Sequence, residues 1–369
     1  MTLLLYFSIF YSFILLLVII GLLKQSTLSL RGSEATKQSR KLHISVIIAC
    51  KNEENNIKQL IDSLSAQSYD KQCFEVIIAD DGSTDGTADI IKATASNIKY
   101  LLVDPSLYPA IIGKKKAVTQ AIDLSKGEIL AFTDADCTPS KDWLLDINNA
   151  FNDCDFYTGY SPLIVESNTI INTLKNLERA SIFAISAGSS YLGMPLTCTA
   201  RNMAYFRELW NKVNGFAGIG HLKSGDDDLM LHKLNKHIKK PHFSFNPNAI
   251  VPSTDNHDNK KQINQETRRA SKFKHYPFYI QLLVLLIVIF YGLLSYHFVV
   301  SLVKLHFHTD LIFALISKVF IEFTLLFLFL KQFNKLQYLK SFILAELLYI
   351  PYFLYFGVKG TFGKYTWKS

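Results

Sequence analysis

Four stretches of this chain are too long and too apolar to lie at the surface of an ordinary water-soluble domain. Residues 3–23 hold no formal charge, and a run of that length covers the hydrocarbon core of a bilayer as a helix. No basic segment precedes it and no small-residue cleavage site follows, so it reads as a retained anchor rather than a removed leader. Apolar runs return after a long polar region, at about 276–303, 309–330 and 337–357. The first of these carries no formal charge. The second holds Lys318 and Glu322, four residues apart and therefore on one helical face. The third holds Glu346 and Pro351, and could span the membrane or lie at its interface. Ionisable groups at membrane depth are costly unless paired or facing a polar cavity. A self-satisfied Lys318–Glu322 pair is the plainer expectation, and contact with a polar acceptor head group the sharper one.

Basic residues mark the edges of these runs. Lys24, Arg31, Lys37, Arg40 and Lys41 follow the first; Arg268, Arg269, Lys272 and Lys274 precede the second. Cationic flanks on both sides put the region between them on the cytoplasmic face. Three spanning C-terminal runs would leave Lys359, Lys364 and Lys368 outside, against the same rule. Much of the formal net charge of +8 sits at these flanks, where it favours anionic membrane lipid. No aromatic-interleaved basic module accompanies it, so nucleic acid is not an expected partner. Cys50, Cys73, Cys137, Cys154 and Cys198 are scattered without CxxC spacing, which fits a reduced compartment and no structural zinc. The chain thus divides into an anchor (1–24), a basic linker (25–42), a cytoplasmic domain (43–275), membrane or interfacial helices (276–358) and a short basic tail (359–369).

Within the central domain, strand and helix patterns alternate. Ile44–Cys50 is a short β-branched run ending in polar Lys51-Asn52, as expected of a buried strand feeding a loop. Apolar residues at Ile57, Leu60, Ile61 and Leu64 predict a helix over 53–67. Strands at 74–79, 98–103 and 128–133 and helices at 85–95 and 116–124 continue the alternation. Continuous apolar strands between helices predict a parallel sheet covered on both faces. Ligands of such sheets sit beyond the carboxyl ends of the strands, and the polar clusters fall there.

Asp80-Asp81-Gly82-Ser83-Thr84-Asp85 closes the second strand. Such a sequence makes a capped turn, but capping does not call for two adjacent carboxylates at the strand tip. They can accept hydrogen bonds from a nucleobase ring N–H or from ribose hydroxyls. Asp134-Ala135-Asp136 closes the fourth strand and supplies hard oxygen donors suited to Mg²⁺ or Mn²⁺, which also grips diphosphate oxygens. Gly113-Lys114-Lys115-Lys116 opens a helix, where cations oppose the macrodipole; the run is either solvated or offset by an anionic ligand. Ser224-Gly225-Asp226-Asp227-Asp228 precedes a further helical stretch. Its acids complement a helix start, and Asp226 or Asp227 could also remove a proton from an attacking hydroxyl. Gly215, Gly218 and Gly220 upstream suggest a loop able to close over substrate.

SVIIACKNEENNI, EVIIADDGSTDGT, GKKKAV, GEILAFTDADCTPS, TARNMAYFREL, VNGFAGIG, SGDDDL and QETRRASK stand in this order over about residues 44–272. Together they resemble family 2 glycosyltransferases, inverting enzymes of GT-A fold. The resemblance implies an α/β, Rossmann-like and mostly parallel sheet, with one N-terminal and two to three C-terminal transmembrane helices. It implies a nucleotide-sugar donor, a lipid-linked or glycan acceptor, and a bacterial inner membrane as location. Asp80 and Asp81 would hold base and ribose, Asp134 ribose and metal, and Asp136 a Mg²⁺ or Mn²⁺ ion. Lys114 would lie near the diphosphate, with Gln265 and Arg268 also on the donor. The family's [ST]-E-D base falls on Asp226, with Gly225 in place of Glu and Asp227 as rival. Its Q-x-x-R-W motif keeps Gln265 and Arg268 but has Arg269 for Trp, a planar cation where polymerising members have a stacking surface. That favours transfer of one sugar over processive polysaccharide synthesis. A catalytically inactive membrane scaffold or transport component is the alternative from a different class.

Overall fold

The computed structural model describes residues 2–34, 40–94, 98–165, 167–254 and 259–362. Lys37, Lys364 and Lys368 lie outside the described residues, and Arg31 and Gln265 outside those with described side chains. The elements run α1 (Leu3–Glu34), β1 (Ile44–Cys50), α2 (Ile57–Ser65), β2 (Phe74–Asp80), α3 (Thr87–Thr94), β3 (Ile98–Leu102), α4 (Lys114–Leu124), β4 (Ile129–Phe132), α5 (Trp143–Ala150) and β5 (Phe156–Gly159). They continue as α6 (Ile170–Tyr191), β6 (Met203–Phe206), α7 (Arg207–Lys212), α8 (Asp228–Leu234), β7 (Pro241–Ser244), α9 (Asn259–Ser271), α10 (Phe278–Lys304), α11 (Thr309–Gln332) and α12 (Phe342–Phe362). Two compact units result, one of 24–166 with 189–256 and the other of 1–23, 167–188 and 257–369.

The first unit is α/β. Its strands form one sheet in the order β3-β2-β1-β4-β6-β5-β7, in which only β6 runs antiparallel to its neighbours. Alternation along β1 explains the layering, because successive side chains point to opposite faces. Ile44, Val46 and Ile48 bury against Ile57, Leu60, Ile61 and Leu64 of α2 and Trp143 and Ile147 of α5. Ile47 turns the other way, into a core with Ile77, Ala79 and Ala117, Val118, Ala121 and Ile122 of α4. Each such fully buried aliphatic side chain stabilises the fold by roughly 1.5–3 kcal/mol, so both faces of the strand are held.

Helix α2 starts at Ile57, four residues later than its apolar spacing predicts. The preceding backbone is committed elsewhere. Asn52 N–H donates to Ser83 Oγ, Glu53 N–H to Thr87 Oγ1 and Glu54 N–H to Asp85 Oδ2. Asn52 Oδ1 and Glu54 Oε2 accept in return from Thr84 N–H and Gly86 N–H. The loops after β1 and β2 are therefore laced together at the carboxyl edge of the sheet.

The second unit is helical. Four helical stretches of the described residues are long and apolar enough to cross a membrane: Leu3–Thr27, Phe278–Lys304, Thr309–Gln332 and Leu336–Gly360. The last has the lowest mean hydropathy, 1.6 against 2.3 to 2.7 for the others. Phe278, Ile316, Phe320, Ile343 and Leu347 lie exposed along these helices, as lipid-facing side chains would. Inside the unit, Lys318 Nζ is 2.9 Å from Glu322 Oε1 and 2.5 Å from Glu346 Oε2. Tyr11 of α1 donates to Glu322 at 2.6 Å. The expected pair on one helix face is thus a three-group cluster joining α11 to α12.

Candidate active site

Because β2, β1 and β4 are adjacent and parallel, their carboxyl ends share one edge of the sheet. Asp80 ends β2, and Asp134 and Asp136 follow β4 directly. Ala135 between them is buried while both aspartates stay partly exposed. Helix α4 starts at the same edge with Lys114, and the loop entering α8 brings Asp226.

Lys114 joins these pieces. Its Nζ stands 2.6 Å from Asp134 Oδ1 and 2.7 Å from Asp226 Oδ2. Burial works against the ammonium, but the two carboxylates outweigh it and hold the lysine well above its ordinary range. Burial likewise opposes ionisation of Asp134, which Lys114 and Arg201 nonetheless keep below the usual carboxylate range. Arg201 Nε lies 3.7 Å from Asp134 Oδ2 and makes no hydrogen bond among the described residues. Thr133 Oγ1, one residue before Asp134, is buried, also without a hydrogen-bond partner among the described residues. A small cleft lined by Ile47, Ala49, Lys114, Val118, Phe132, Thr133, Ala200 and Asp226 opens here. The lysine run is not a uniform solvated face. Lys114 is paired, Lys115 is buried, and Lys116 donates to Pro105 O at 2.7 Å.

The two aspartates of the β2 tip differ. Asp80 is buried, and its Oδ1 accepts from Ser83 N–H at 2.8 Å and Ser83 Oγ at 2.6 Å. Its Oδ2 accepts from Tyr100 OH at 3.1 Å. Asp81 is half-buried, and no hydrogen bond reaches its carboxylate among the described residues. Burial, reinforced by the charge of Asp80, raises its pKa, against the pull of Lys51 and Lys116.

The three consecutive acids also part company. Asp226 faces Lys114. Asp227 caps α8, its Oδ1 accepting from Asp228 N–H at 2.7 Å, while its charge is still felt at Asp134 and Arg201. Asp228 is buried, with Oδ1 accepting from Leu229 N–H at 2.8 Å. Gly225 explains how the chain reaches this arrangement. Its φ is +89°, and a Cβ there would stand 2.4 Å from Leu229 Cδ1. Neither the conformation nor the space admits a glutamate, so its place in the motif is dictated by local backbone geometry.

Arg268 and Arg269 belong to the helical unit, on α9, where Arg269 Nη1 pairs with Glu266 Oε1 at 2.7 Å. Sequence reasoning left Arg201, Tyr100 and Lys115 without roles. Arg201 stood inside the quoted TARN stretch, and Lys115 inside the lysine run.

The donor set bears on a divalent ion. Among the described residues no three His, Cys, Asp or Glu side chains gather closely enough to enclose a metal. Asp134 and Asp136 nevertheless offer carboxylate oxygens two residues apart at the open edge. Mg²⁺ and Mn²⁺ commonly take only one or two protein carboxylates, with phosphate oxygens and water completing the shell. The residues present fit an ion of that kind shared with a diphosphate.

Comparison with known proteins agrees with this architecture. Residues 45–213 match the family-wide pattern of Glycosyl transferase family 2. Glycosyltransferase AglE of Haloferax volcanii is 36% identical over 104 residues, covering 27% of this chain and 33% of that protein. Beta-monoglucosyldiacylglycerol synthase of Nostoc sp. is 38% identical over 104 residues, covering 28% of this chain and 22% of that one. The matches therefore span a third or less of these relatives' lengths. A mannosyltransferase from Pyrobaculum calidifontis, solved in complex with GDP-Man and Mn²⁺, superposes with a TM-score of 0.50 at 16% identity, over 96% of this chain and 91% of that one. At that identity the likeness is one of fold. Residues 45–213 thus carry the pattern of Glycosyl transferase family 2, in a chain that shares the GT-A fold and also has long apolar helices.

Proposed function

We propose that the protein moves one sugar from a UDP- or GDP-sugar to a lipid-linked or membrane-proximal glycan acceptor, with inversion, on the cytoplasmic side of a bacterial inner membrane. The observation that carries the reading is Lys114, held between an aspartate of the DxD stretch and Asp226. A cation so placed joins the donor-phosphate side of the cleft to a carboxylate that can accept a proton.

In this reading Asp81 accepts from the nucleobase or ribose, and Asp80, saturated by Ser83 and Tyr100, sets the turn that presents it. Asp134 and Asp136 would hold Mg²⁺ or Mn²⁺, which when bound neutralises charge on the departing diphosphate as a Lewis acid. Lys114 adds positive charge toward the same leaving group. Asp226 takes the proton of the acceptor hydroxyl as its oxygen attacks the anomeric carbon opposite the nucleotide. One bond forms to the acceptor oxygen, the glycosyl–phosphate bond breaks, and the proton stays on Asp226.

The acceptor class is supported by the long apolar helices of the chain and by a relative named for making a glucosyldiacylglycerol. Donor and ion are supported by the fold neighbour solved in complex with GDP-Man and Mn²⁺. Arg269, paired with Glu266 where polymerising members carry Trp, favours single transfer.

The test is a panel of UDP- and GDP-sugars incubated with the purified protein in detergent, with Mn²⁺ or with EDTA, and assayed for released nucleotide diphosphate. One donor should be consumed, and only with the metal. Release from none of them, or equal release in EDTA, would overturn the assignment. Asp136→Ala should abolish the Mn²⁺ dependence of nucleotide binding in calorimetry, and unchanged binding with and without Mn²⁺ would remove that residue from the metal site.

A further inference from the structure

Lys115 is the least expected side chain in the α/β unit. It follows Lys114 directly, yet it turns away from the carboxylates and is only 2% exposed. An ammonium group leaves water at a large cost unless its donors are matched. Here three carbonyl oxygens meet its three N–H bonds: Ile219 O at 2.8 Å, Leu222 O at 3.1 Å and Ser224 O at 2.7 Å. The ring of Phe216 lies 5.8 Å from the same Nζ, within cation–π range.

All four contacts fall in the glycine-bearing loop that ends at Gly225 and Asp226. The loop's beginning is fastened similarly from the other side, where Lys233 of α8 donates to Gly215 O at 2.5 Å and Ala217 O at 2.6 Å. Ile112 N–H, just before α4, donates to Gly220 O at 3.1 Å. A segment rich in glycine is thereby tied down carbonyl by carbonyl, and the last tie, at Ser224, is two residues from Asp226.

We infer that Lys115 is a positioning residue for the transfer step: it clamps the loop 216–224 so that Asp226 meets Lys114 and the acceptor hydroxyl in one geometry. The inference rests on the proposed role of Asp226 as base. One short stretch of α4 then serves both sides of the cleft. Lys114 faces the reacting groups, and Lys115 sets the height of the loop that carries the base. A hydrogen-bonded clamp of this kind acts on rate more than on donor affinity, because the proposed nucleoside contacts lie at the β2 and β4 tips rather than on the loop.

Lys115→Met keeps the length of the side chain and removes its charge and all three donors. With whichever UDP- or GDP-sugar the panel identifies, and with saturating Mn²⁺, kcat should fall about 10- to 100-fold, the range for a misplaced catalytic group. The KM for donor and the calorimetric affinity for UDP or GDP should stay within about threefold, a shift below the size of one lost hydrogen bond. Lys116→Met, altering the neighbouring half-buried lysine that donates to Pro105 O outside the loop, should leave kcat within about twofold. If Lys115 acts through Asp226, adding Lys115→Met to Asp226→Asn should slow the residual reaction no further. Should Lys115→Met fail to fold, Lys115→Gln, which retains an N–H₂ donor, takes its place with a smaller fall in kcat.

Equal losses of kcat, nucleotide affinity and thermal midpoint would mark a merely structural lysine and overturn the inference. So would a folded Lys115→Met protein with wild-type kcat. Wild-type turnover in Asp226→Asn would instead sink the reading of the base itself, so the two failures are told apart in one assay series.

Discussion

Two lysines in this molecule each stand between two carboxylates, and they do opposite things with the same charges. Lys114 lies between Asp134 and Asp226 at the edge of a sheet, its side chain 23% exposed. Lys318 lies between Glu322 and Glu346 among apolar helices, its side chain 2% exposed. In both cases one cation serves two anions at hydrogen-bonding distance. The first cluster opens on a cleft, so in the proposed role an incoming diphosphate takes the lysine while water hydrates whichever carboxylate is released. The second is sealed, so any opened contact leaves an ion in a medium that cannot solvate it. Composition alone does not make a reactive site; access to an exchangeable ligand does.

The strongest way to break this comparison is at Asp226. Asp226→Asn keeps the size of the side chain and removes its capacity to take a proton. Transfer should fall by about 10²–10⁴-fold, the usual contribution of a general base, while UDP or GDP affinity changes little. Asp227→Asn should cost little stability, because asparagine caps a helix about as well as aspartate does, with transfer largely kept. If the two outcomes were exchanged, the base would be Asp227, and Asp226 would be a partner of Lys114 only.

The sealed cluster makes the next largest effect. Lys318→Met strands two glutamates, and breaking a buried ion pair from one side costs about 3–5 kcal/mol. Thermal unfolding in detergent should show it. Combining Lys318→Met with Glu322→Gln and Glu346→Gln removes the stranded charges and should recover most of the loss. A single variant as stable as the wild type would mean that the cluster is reached by water and that the contrast with Lys114 is false.

Lys114→Met sharpens the contrast from the other side. Its two carboxylates are partly exposed, so the effect on stability should stay near or below about 1 kcal/mol, as for pairs that water can reach. Nucleotide diphosphate affinity should fall about 10- to 30-fold, the size of one charge-assisted contact. The ratio of binding loss to stability loss is the discriminating quantity: large at Lys114, small at Lys318.

These differences mark where the sequence was readable. The strands β1, β2 and β4 were plain because both faces are buried and their apolar residues run without interruption. The carboxylates at their ends were equally plain, since a parallel sheet puts such residues on one edge. Lys318 with Glu322 could be paired from helical spacing, but Glu346 lies 28 residues from Lys318, on another helix, and spacing says nothing of that contact. The late start of α2 was hidden because its would-be first turn bonds to the β2 loop. Lys115 looked like its neighbours, and only the three carbonyls meeting it separate a clamp from a solvated charge. Gly225 read as a departure from the motif, whereas its positive φ and its closeness to Leu229 make glycine the residue that the local backbone requires.

The smallest predicted effect concerns Asp81, and it tests whether the open edge is used as proposed. Burial and the neighbouring Asp80 raise the pKa of this carboxyl above its ordinary value. In the proposed role its carboxylate accepts hydrogen bonds from base or ribose; once protonated it loses part of that capacity. Its contribution to nucleotide binding should therefore be complete above the raised pKa and should fade as pH drops through it, earlier than for an ordinary aspartate. The diphosphate also titrates, so the informative quantity is the difference between wild type and Asp81→Asn at each pH. At about pH 7.5 the substitution should weaken UDP or GDP binding roughly threefold to tenfold, the size of one such hydrogen bond. As pH falls from there the gap should narrow, as the wild-type carboxyl takes up its proton sooner than an ordinary aspartate would. Parallel curves for the two proteins would mean that Asp81 does not contact the nucleotide, and the β2 tip would then be a laced turn and nothing more.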